Sequence, residues 1–313
     1  MSAAITLPPD ALLCHLPATF ELERGGHLPG GVVAYELDGP AGAPVVVVLG
    51  GISADRRPAS WWRGVVGDGL AVDTRRFRVL AIDWLGGAGC STGPGAGEPF
   101  PFVTTRDQAD ALALVLDQLG VECVHALVGA SYGGMVGLQF AARHGERVDW
   151  LAVLAAADRS HPQASAWRWL QRGIVELGER AGERDAALAL ARGLAMTTYR
   201  SPGELAERFA SGVEVHDWLA VRGQAFAERF LPEQFVCLNR SIDEHAVLAE
   251  KIALAAVTFV GFDSDQLVPA ADVRRLAHAV PGARYEEVPT PFGHDGFLKE
   301  VDAVSAILRE VLR

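Results

Sequence analysis

Residues 128–134 have the sequence VGASYGG, in which Gly129, Ser131 and Gly133 form a G-x-S-x-G motif between a strand-like run and a helical pattern. In this context the serine projects from a sharp turn, and its neighbours must be small because the backbone there is strained. The turn leads into a helix, so the backbone N–H of Tyr132 can face an oxyanion that forms on a substrate carbonyl. The motif therefore predicts Ser131 as a nucleophile and Tyr132 as an oxyanion donor.

Short apolar runs alternate with helical patterns on both sides of this motif. A parallel sheet that is covered by helices on both faces produces this alternation, because its strands are buried on both sides. The predicted strands are at 45–49, 77–82, 125–128, 151–155 and 257–260. One predicted helix lies within TTRDQADALALVLDQLGV and ends at Gly120, and two others are at 270–280 and 299–312. We therefore predict an α/β protein with a mostly parallel central sheet that is flanked by helices.

A serine hydroxyl needs a base to become a nucleophile, and the base needs an orienting carboxylate. The segment GFDSDQLVP follows a predicted strand and supplies Asp265, with Asp263 as the alternative. The segment FGHDGFL, shortly before the last predicted helix, supplies His294. The chain order Ser131, Asp265, His294 is typical of the α/β-hydrolase fold, which we predict here.

The segment 158–250 interrupts the alternation of strands and helices. It is rich in Ala, Leu, Arg and Glu at helical spacing and contains no convincing β-branched run. We interpret it as a helical lid that is inserted into the fold. The predicted domains are a core formed by 1–157 and 251–313 and a lid formed by 158–250.

A second oxyanion donor is expected in the loop after the first central strand, within VVVVLGGISADRR. Gly51 is the predicted donor, and Ile52 is the alternative. The glycine-rich loop at 86–93 does not complete a G-x-G-x-x-G motif, so it does not predict dinucleotide binding. We interpret that loop as a turn at the edge of the pocket.

Composition and charge narrow the classes of function. The formal net charge of −11 at pH 7 disfavours nucleic acids and anionic membrane surfaces as partners. The four cysteines lie far apart without a CxxC pair, and no histidine spacing resembles a metal site, so we predict no metal. The N-terminus has no basic region before an apolar core, and no apolar run approaches the roughly 18 residues of a membrane helix. We therefore predict a cytoplasmic protein.

Several further segments carry a family resemblance. DWLGGAGCSTGP, VTTRDQADA and GASYGGMVGLQFAARH, together with SDQLVP and GHDGFL, resemble sequences of the homoserine O-acetyltransferase family, whose members are CoA-dependent homoserine or serine O-acyltransferases. ALALARGLAMTTYRSPGELAERF and RFLPEQFVCLNRSIDEH are similar to the lid segments of that family, which ordinary hydrolases lack. The similarity runs through most of the chain, from about residue 20 to about residue 300.

The resemblance implies a ping-pong reaction of methionine biosynthesis, with acyl-CoA as co-substrate and no bound cofactor. Ser131 would take the acyl group from acyl-CoA, and the hydroxyl of L-homoserine would then remove it. His294 would act as base and then as acid in each half, with Asp265 fixing its tautomer.

The resemblance also implies three residues that bind the amino-acid substrate. Arg192 would hold its carboxylate, with Tyr199 nearby, and Asp295 would accept its ammonium group. These residue types fit those roles, because a guanidinium pairs with a carboxylate and an anionic side chain pairs with an amine.

The acyl donor and the acceptor stay open. The loops at 93–104 and after the first central strand depart from the family pattern. A buried succinyl carboxylate must be paired, and Arg56 and Arg57 follow the oxyanion loop, so succinyl-CoA is favoured over acetyl-CoA. The alternative is that both arginines are solvated loop residues. Serine differs from homoserine by one methylene and is an alternative acceptor.

Two other classes of function compete with a transferase. A serine esterase of the same fold would pass the acyl group to water, and a binding protein would use an inactive scaffold. Lid helices of this kind could also form a homodimer contact.

Overall fold

The computed structural model describes residues 11–313, which form one eight-stranded sheet covered by helices. The strands in chain order are β1 Leu12–His15, β2 Val32–Asp38, β3 Val45–Leu49, β4 Arg78–Ile82, β5 Val124–Ala130, β6 Val148–Leu154, β7 Val257–Phe262 and β8 Arg284–Val288. Their spatial order is β1-β2-β4-β3-β5-β6-β7-β8. The β1–β2 and β2–β4 pairs are antiparallel, and the pairs from β4 to β8 are parallel.

The helices in chain order are α1 Pro58–Trp61, α2 Thr105–Gln118, α3 Tyr132–His144, α4 Pro162–Ala181, α5 Arg184–Tyr199, α6 Pro202–Arg208, α7 Gly212–Ala227, α8 Pro232–Asp243, α9 Ala270–Ala279, α10 Gly296–Lys299 and α11 Val301–Val311. Helices α4 to α8 all lie within 158–250, between β6 and β7. None of the helices in residues 11–313 is long and apolar enough to cross a membrane.

The all-apolar sequence of β3 follows from its place in the middle of the sheet. Val45, Val47 and Leu49 belong to a core that also contains residues of α2 and α3, whereas Val46 and Val48 belong to a second core that contains residues of α11. Successive side chains of a strand point to opposite faces, so a strand with a core on each face must be apolar at every position.

The five predicted strands are present, with ends that differ by a few residues, but three strands were missed. β1 and β8 are the two edge strands, and β8 has the polar sequence RYEEV with only its last residue buried. An edge strand needs fewer apolar residues, so it lacks the continuous apolar run that marks a central strand. β2 was missed although it contains three buried residues in VVAYELD.

The last predicted helix, 299–312, is present as α11, with ends that differ by one or two residues. The short helix α10 precedes it, and the two are separated at Glu300, where the backbone has φ −84° and ψ 57°.

Candidate active site

Ser131 lies at a strained turn between β5 and α3. Its backbone has φ 55° and ψ −122°, which is rare for a residue other than glycine. A Cβ atom at Gly129 would lie 2.3 Å from the carbonyl oxygen of Gly133, and one at Gly133 would lie 2.3 Å from that of Leu49. The close approach of three backbone segments is therefore the reason that both flanking positions are glycine.

Three side chains that are distant in the sequence meet at the carboxyl ends of the parallel strands. Nε2 of His294 lies 2.8 Å from Oγ of Ser131, and its Nδ1 lies 2.7 Å from Oδ2 of Asp265. A carboxylate only accepts hydrogen bonds, so Nδ1–H donates to Asp265 and Nε2 accepts from the serine hydroxyl. The structure thus brings Ser131, His294 and Asp265 together in one hydrogen-bonded chain.

The carboxylate of Asp265 is fixed by the loop that follows β7. Its Oδ1 accepts the backbone N–H of Leu267 at 2.8 Å and of Val268 at 3.0 Å, which leaves Oδ2 for the histidine. Asp263, the alternative, instead accepts the backbone N–H of Thr290 at 2.8 Å. The geometry therefore selects Asp265 as the partner of the histidine.

The pKa of His294 lies above its usual value. Burial lowers this pKa, but the charge of Asp265 and its hydrogen bond raise it by more. The charge of Asp295 raises it further, and the charge of Arg168 lowers it. The imidazole is thus a better proton acceptor than a histidine in water, as a general base requires.

Gly51, Ile52 and Tyr132 line the cavity into which Ser131 points. In the part of the chain that the structure describes, none of their three N–H groups has a hydrogen-bond acceptor. Free N–H groups beside a nucleophile are what an oxyanion hole requires.

The orientation of one peptide distinguishes the two candidates for the second donor. The carbonyl oxygen of Gly50 accepts the N–H of Gly133 at 2.8 Å and is therefore turned towards the start of α3. In a trans peptide the N–H points opposite to the carbonyl, so the N–H of Gly51 points away from the start of α3. The N–H of Tyr132, the other predicted donor, lies at the start of α3, so the N–H of Gly51 does not point towards the same site. This geometry favours Ile52 over Gly51.

Arg192 and Tyr199 line the same cavity from α5. The guanidinium of Arg192 lies 4.7 Å from the ring centre of Phe226 and 5.1 Å from that of Tyr199, and it donates a hydrogen bond of 3.2 Å to the Tyr199 hydroxyl. No carboxylate of residues 11–313 forms an ion pair with Arg192. This cation is held in place by two aromatic faces and can accept an anionic group of a ligand.

Asp295 also lines the cavity, but it already has a partner. Its Oδ2 lies 3.0 Å from Nη2 of Arg200, a buried residue that the sequence did not single out. Burial raises the pKa of Asp295 above its usual value, although the charges of Arg200, His294 and Arg192 oppose this. A ligand ammonium would therefore share Asp295 with Arg200.

A buried polar network at the base of the lid was missed entirely. Arg168 and Arg172 of α4 both form ion pairs with Asp243 of α8, each at 2.6 Å, and Arg172 also donates to Asn239 at 2.6 Å. Arg168 is 7% exposed, lines the cavity and donates to Ser160. Two arginines four residues apart on a helix were a signal, because that spacing places both on one face.

The two arginines that were predicted to reach a succinyl carboxylate do not line the cavity. Arg56 is buried and forms an ion pair with Asp83 at 2.9 Å, and Arg57 forms one with Glu36 at 3.1 Å. This prediction was wrong because Arg56 is held by a buried carboxylate, and Arg57 pairs with Glu36 at the surface, away from the cavity. Arg56 instead joins the loop after β3 to the loop after β4.

The glycine-rich loop at 86–93 was also placed incorrectly. None of its residues lines the cavity, and a Cβ at Gly86 would lie 2.5 Å from Sγ of Cys237 on α8. The loop packs under the lid, and its glycine allows that close packing.

The cavity that these residues enclose has a volume of about 240 Å³. Its lining combines the charged and polar groups described above with apolar side chains, among them Trp61, Met135, Met196, Leu267 and Phe297. This volume is at the small end of ligand pockets, so the site suits a small metabolite and a short acyl group.

Residues 44–301 match the family model that describes the α/β-hydrolase fold, and the chain belongs to that family. Homoserine O-succinyltransferase of Xanthomonas campestris is 41% identical over 89% of this chain and 78% of its own length. Within the α/β hydrolases, the chain therefore belongs to the homoserine O-acyltransferase family.

One solved structure is similar in both sequence and fold, and another is similar in fold. Homoserine O-acetyltransferase of Staphylococcus aureus has a TM-score of 0.85 at 27% identity, over 97% of this chain and 95% of that one. Esterase E22 has a TM-score of 0.86 at 18% identity, over 97% of this chain and all of that one, and it shares the fold alone.

Proposed function

We propose that this chain is a CoA-dependent O-acyltransferase that acylates the hydroxyl of L-homoserine, as part of methionine biosynthesis. The observation that carries the proposal is a small cavity in which Ser131, His294 and Asp265 form one hydrogen-bonded chain beside Arg192 and Asp295. The opposite charges of Arg192 and Asp295 suit the carboxylate and the ammonium of an amino acid. The names of the relatives support the same substrate.

In the first half-reaction, Oγ of Ser131 attacks the thioester carbonyl while Nε2 of His294 takes the hydroxyl proton. The negative charge on the carbonyl oxygen is stabilised by the N–H groups of Tyr132 and Ile52. The C–S bond then breaks, His294 gives its proton to the leaving thiolate, and the acyl group stays on Ser131.

In the second half-reaction the substrate hydroxyl replaces the thiol. His294 takes the proton of the homoserine hydroxyl as its oxygen attacks the acyl-serine carbonyl. The ester bond to Ser131 breaks, and His294 returns the proton to Oγ. Asp265 keeps the imidazole in the required tautomer and stabilises its cation in both halves.

We propose succinyl-CoA as the preferred donor, because Arg168 brings a buried positive charge to the wall of the cavity. The buried guanidinium of Arg168 and the partly exposed guanidinium of Arg172 share the single carboxylate of Asp243. Burial lowers the pKa of Arg168 despite that carboxylate. Because two guanidiniums share one carboxylate, the cluster keeps a net positive charge. A second carboxylate from the acyl group would complete the pairing, whereas an acetyl group would leave it incomplete.

The location and the assembly complete the proposal. We place the protein in the cytoplasm with small-molecule substrates and neither nucleic acid nor membrane as partner. The lid exposes large apolar side chains that a homodimer contact would cover, namely Trp169, Leu170, Leu177, Leu190, Val213 and Val221. Light scattering on the purified protein tests the dimer, and Leu177→Glu is expected to shift it towards the monomer.

One panel of assays tests the reaction. Acetyl-CoA and succinyl-CoA are each combined with homoserine, with serine and with buffer alone, and the released thiol and the acylated product are both measured. We expect the fastest transfer from succinyl-CoA to homoserine. Thiol release at the same rate in buffer alone would identify an esterase, and serine as the faster acceptor would overturn the assignment of homoserine.

The variant Ser131→Ala provides the control for the mechanism. Mass spectrometry of the wild-type protein with donor alone is expected to detect one acyl group on the chain, and the variant is expected to carry none. An acylated variant would show that another residue is the nucleophile.

A further inference from the structure

Trp84 contacts both halves of the proposed oxyanion hole, although it does not line the cavity itself. It follows β4, and its side chain is 3% exposed. The indole Nε1–H donates to the carbonyl oxygen of Gly51 at 3.0 Å. The indole ring also packs edge to face on the ring of Tyr132, with centroids 5.0 Å apart and planes at 81°.

The bond from the indole fixes the direction of an N–H group. The carbonyl of Gly51 and the N–H of Ile52 belong to one trans peptide and point in opposite directions. Trp84 and the backbone N–H of Ala54, both at 3.0 Å, hold that carbonyl, and so the N–H of Ile52 must point the other way. The indole therefore acts on the oxyanion donor through the peptide between them.

The loop needs such an external constraint because of its sequence. Gly50 and Gly51 are consecutive, and glycine has access to backbone conformations that other residues avoid. A Cβ at Gly51 would meet nothing within 4 Å, so no neighbouring atom limits this residue on its Cβ side. Rotation of the peptide between Gly51 and Ile52 would exchange an N–H for a carbonyl oxygen at the oxyanion site, which would repel the developing charge.

We propose that Trp84 is a positioning residue that holds the oxyanion hole in its active geometry, with its N–H on one donor peptide and its ring against Tyr132. The proposal rests on the acyl-serine chemistry of the proposed function. It does not depend on which amino acid or which acyl-CoA is the natural substrate.

Two variants separate the hydrogen bond from the packing. Trp84→Phe keeps an aromatic ring but loses the N–H, whereas Trp84→His loses more apolar surface but keeps a ring N–H at the same distance from Cβ. Trp62→Phe is the matched control, since the indole of Trp62 is also buried and donates to a backbone carbonyl, that of Phe297, at 2.9 Å.

The assay uses p-nitrophenyl acetate, which acylates a reactive serine without CoA or homoserine. We expect Trp84→Phe to lower the acylation rate constant by about tenfold or more, with KM within about twofold, because only the transition state carries the oxyanion. Affinity for a boronic acid that forms a tetrahedral anion on the serine is expected to fall by a similar factor.

The order of the variants distinguishes positioning from simple support of the fold. Positioning predicts faster acylation in Trp84→His than in Trp84→Phe, with Trp62→Phe close to the wild type. A purely structural role predicts the opposite order, because the His variant removes more buried surface, and that order would overturn the proposal. Acylation of Trp84→Phe at the rate of the Trp62→Phe control would overturn it as well.

Failure of the proposed function gives a different result. A wild-type protein that acylates Ser131 but transfers nothing to homoserine would refute the transferase assignment and leave the comparison of the Trp84 variants valid.

Discussion

Replacement of Arg168 by methionine is expected to change the choice of acyl donor. Methionine fills a similar volume without a charge, and Asp243 keeps its ion pair with Arg172 at 2.6 Å, so the fold has no unpaired carboxylate. The cluster changes from two guanidiniums against one carboxylate to one against one. The positive charge that would attract a succinyl carboxylate is then gone.

The size of the effect follows from the lost contact. A hydrogen bond to a charged group in a buried site contributes about 2 to 3 kcal/mol. At 1.36 kcal/mol for each tenfold, kcat/KM for succinyl-CoA should fall by about 30- to 150-fold. Acetyl-CoA has no carboxylate, so its kcat/KM should change by less than about threefold.

Steady-state kinetics with both donors at saturating homoserine measure this change in selectivity. The charge of Arg168 lowers the pKa of His294, so the loss of Arg168 raises that pKa and moves the acidic limb of the pH–rate profile to higher pH for both donors. The rates are therefore compared at alkaline pH, where His294 is neutral in both proteins. Arg180→Met is the control, since Arg180 lies on the same helix with an exposed side chain. Equal losses with the two donors, or no loss with succinyl-CoA, would refute the argument for succinyl.

Three further predictions concern the general base His294, the buried His245 that joins the lid to Thr105 of α2, and the turn at Ser131. The rate of acylation by p-nitrophenyl acetate should fall as the pH drops through the raised pKa of His294, so the acidic limb of the pH–rate profile should lie above pH 6.5. Asp295→Asn should move this limb to lower pH, because the charge of Asp295 stabilises the protonated imidazole. An acidic limb at the same pH in the variant would contradict this prediction. Burial lowers the pKa of His245 to about 4, so between pH 6.5 and pH 4 the unfolded chain binds a proton that the folded protein does not. The free energy of unfolding should therefore fall by about 3 kcal/mol over this range. Urea unfolding of His245→Asn should show a smaller fall. Gly133→Ala should abolish acylation and lower the melting temperature, because the new Cβ would lie 2.3 Å from a backbone oxygen. Gly173→Ala on α4 is the control: its Cβ would lie in open space, and the variant should be more stable than the wild type by up to about 1 kcal/mol.

The nucleophile turn was the most predictable part of the site. Its requirements are local, because Gly129, Ser131 and Gly133 are dictated by backbone that lies within a few residues or in the adjacent strand. Asp265 and His294 could be assigned from chain order, since the fold brings the carboxyl ends of its parallel strands to one edge. For the triad and the oxyanion hole, the sequence left alternatives only between residues that are one or two positions apart, namely Asp263 or Asp265 and Gly51 or Ile52.

Ion-pair partners were the least predictable part. The sequence shows that Arg56 follows the oxyanion loop, but it does not show that Asp83, 27 positions away, already pairs with it. The same limit concealed the pairing of Arg168 with Asp243, which are 75 positions apart and on two lid helices. Whether a charge is free to bind a ligand depends on contacts that are distant in sequence, and no local pattern encodes them.

The charges around the cavity connect these observations to the order of the reaction. In a ping-pong transfer the acyl group is still on Ser131 when the amino acid enters, so a succinyl donor and homoserine place two carboxylates and one ammonium in the site together. We infer that Arg192 and Asp295 take the amino acid, so the acyl carboxylate needs another cation. Arg159 and Arg168 both line the cavity, and of these two only Arg168 is buried. Arg168 lies close enough to affect the pKa of His294 and yet belongs to a separate, positively charged cluster. An enzyme that handled only acetyl groups would have to maintain this buried positive charge without a ligand to pair with it, and the cost of that burial is the physical reason to expect a carboxylate on the acyl group.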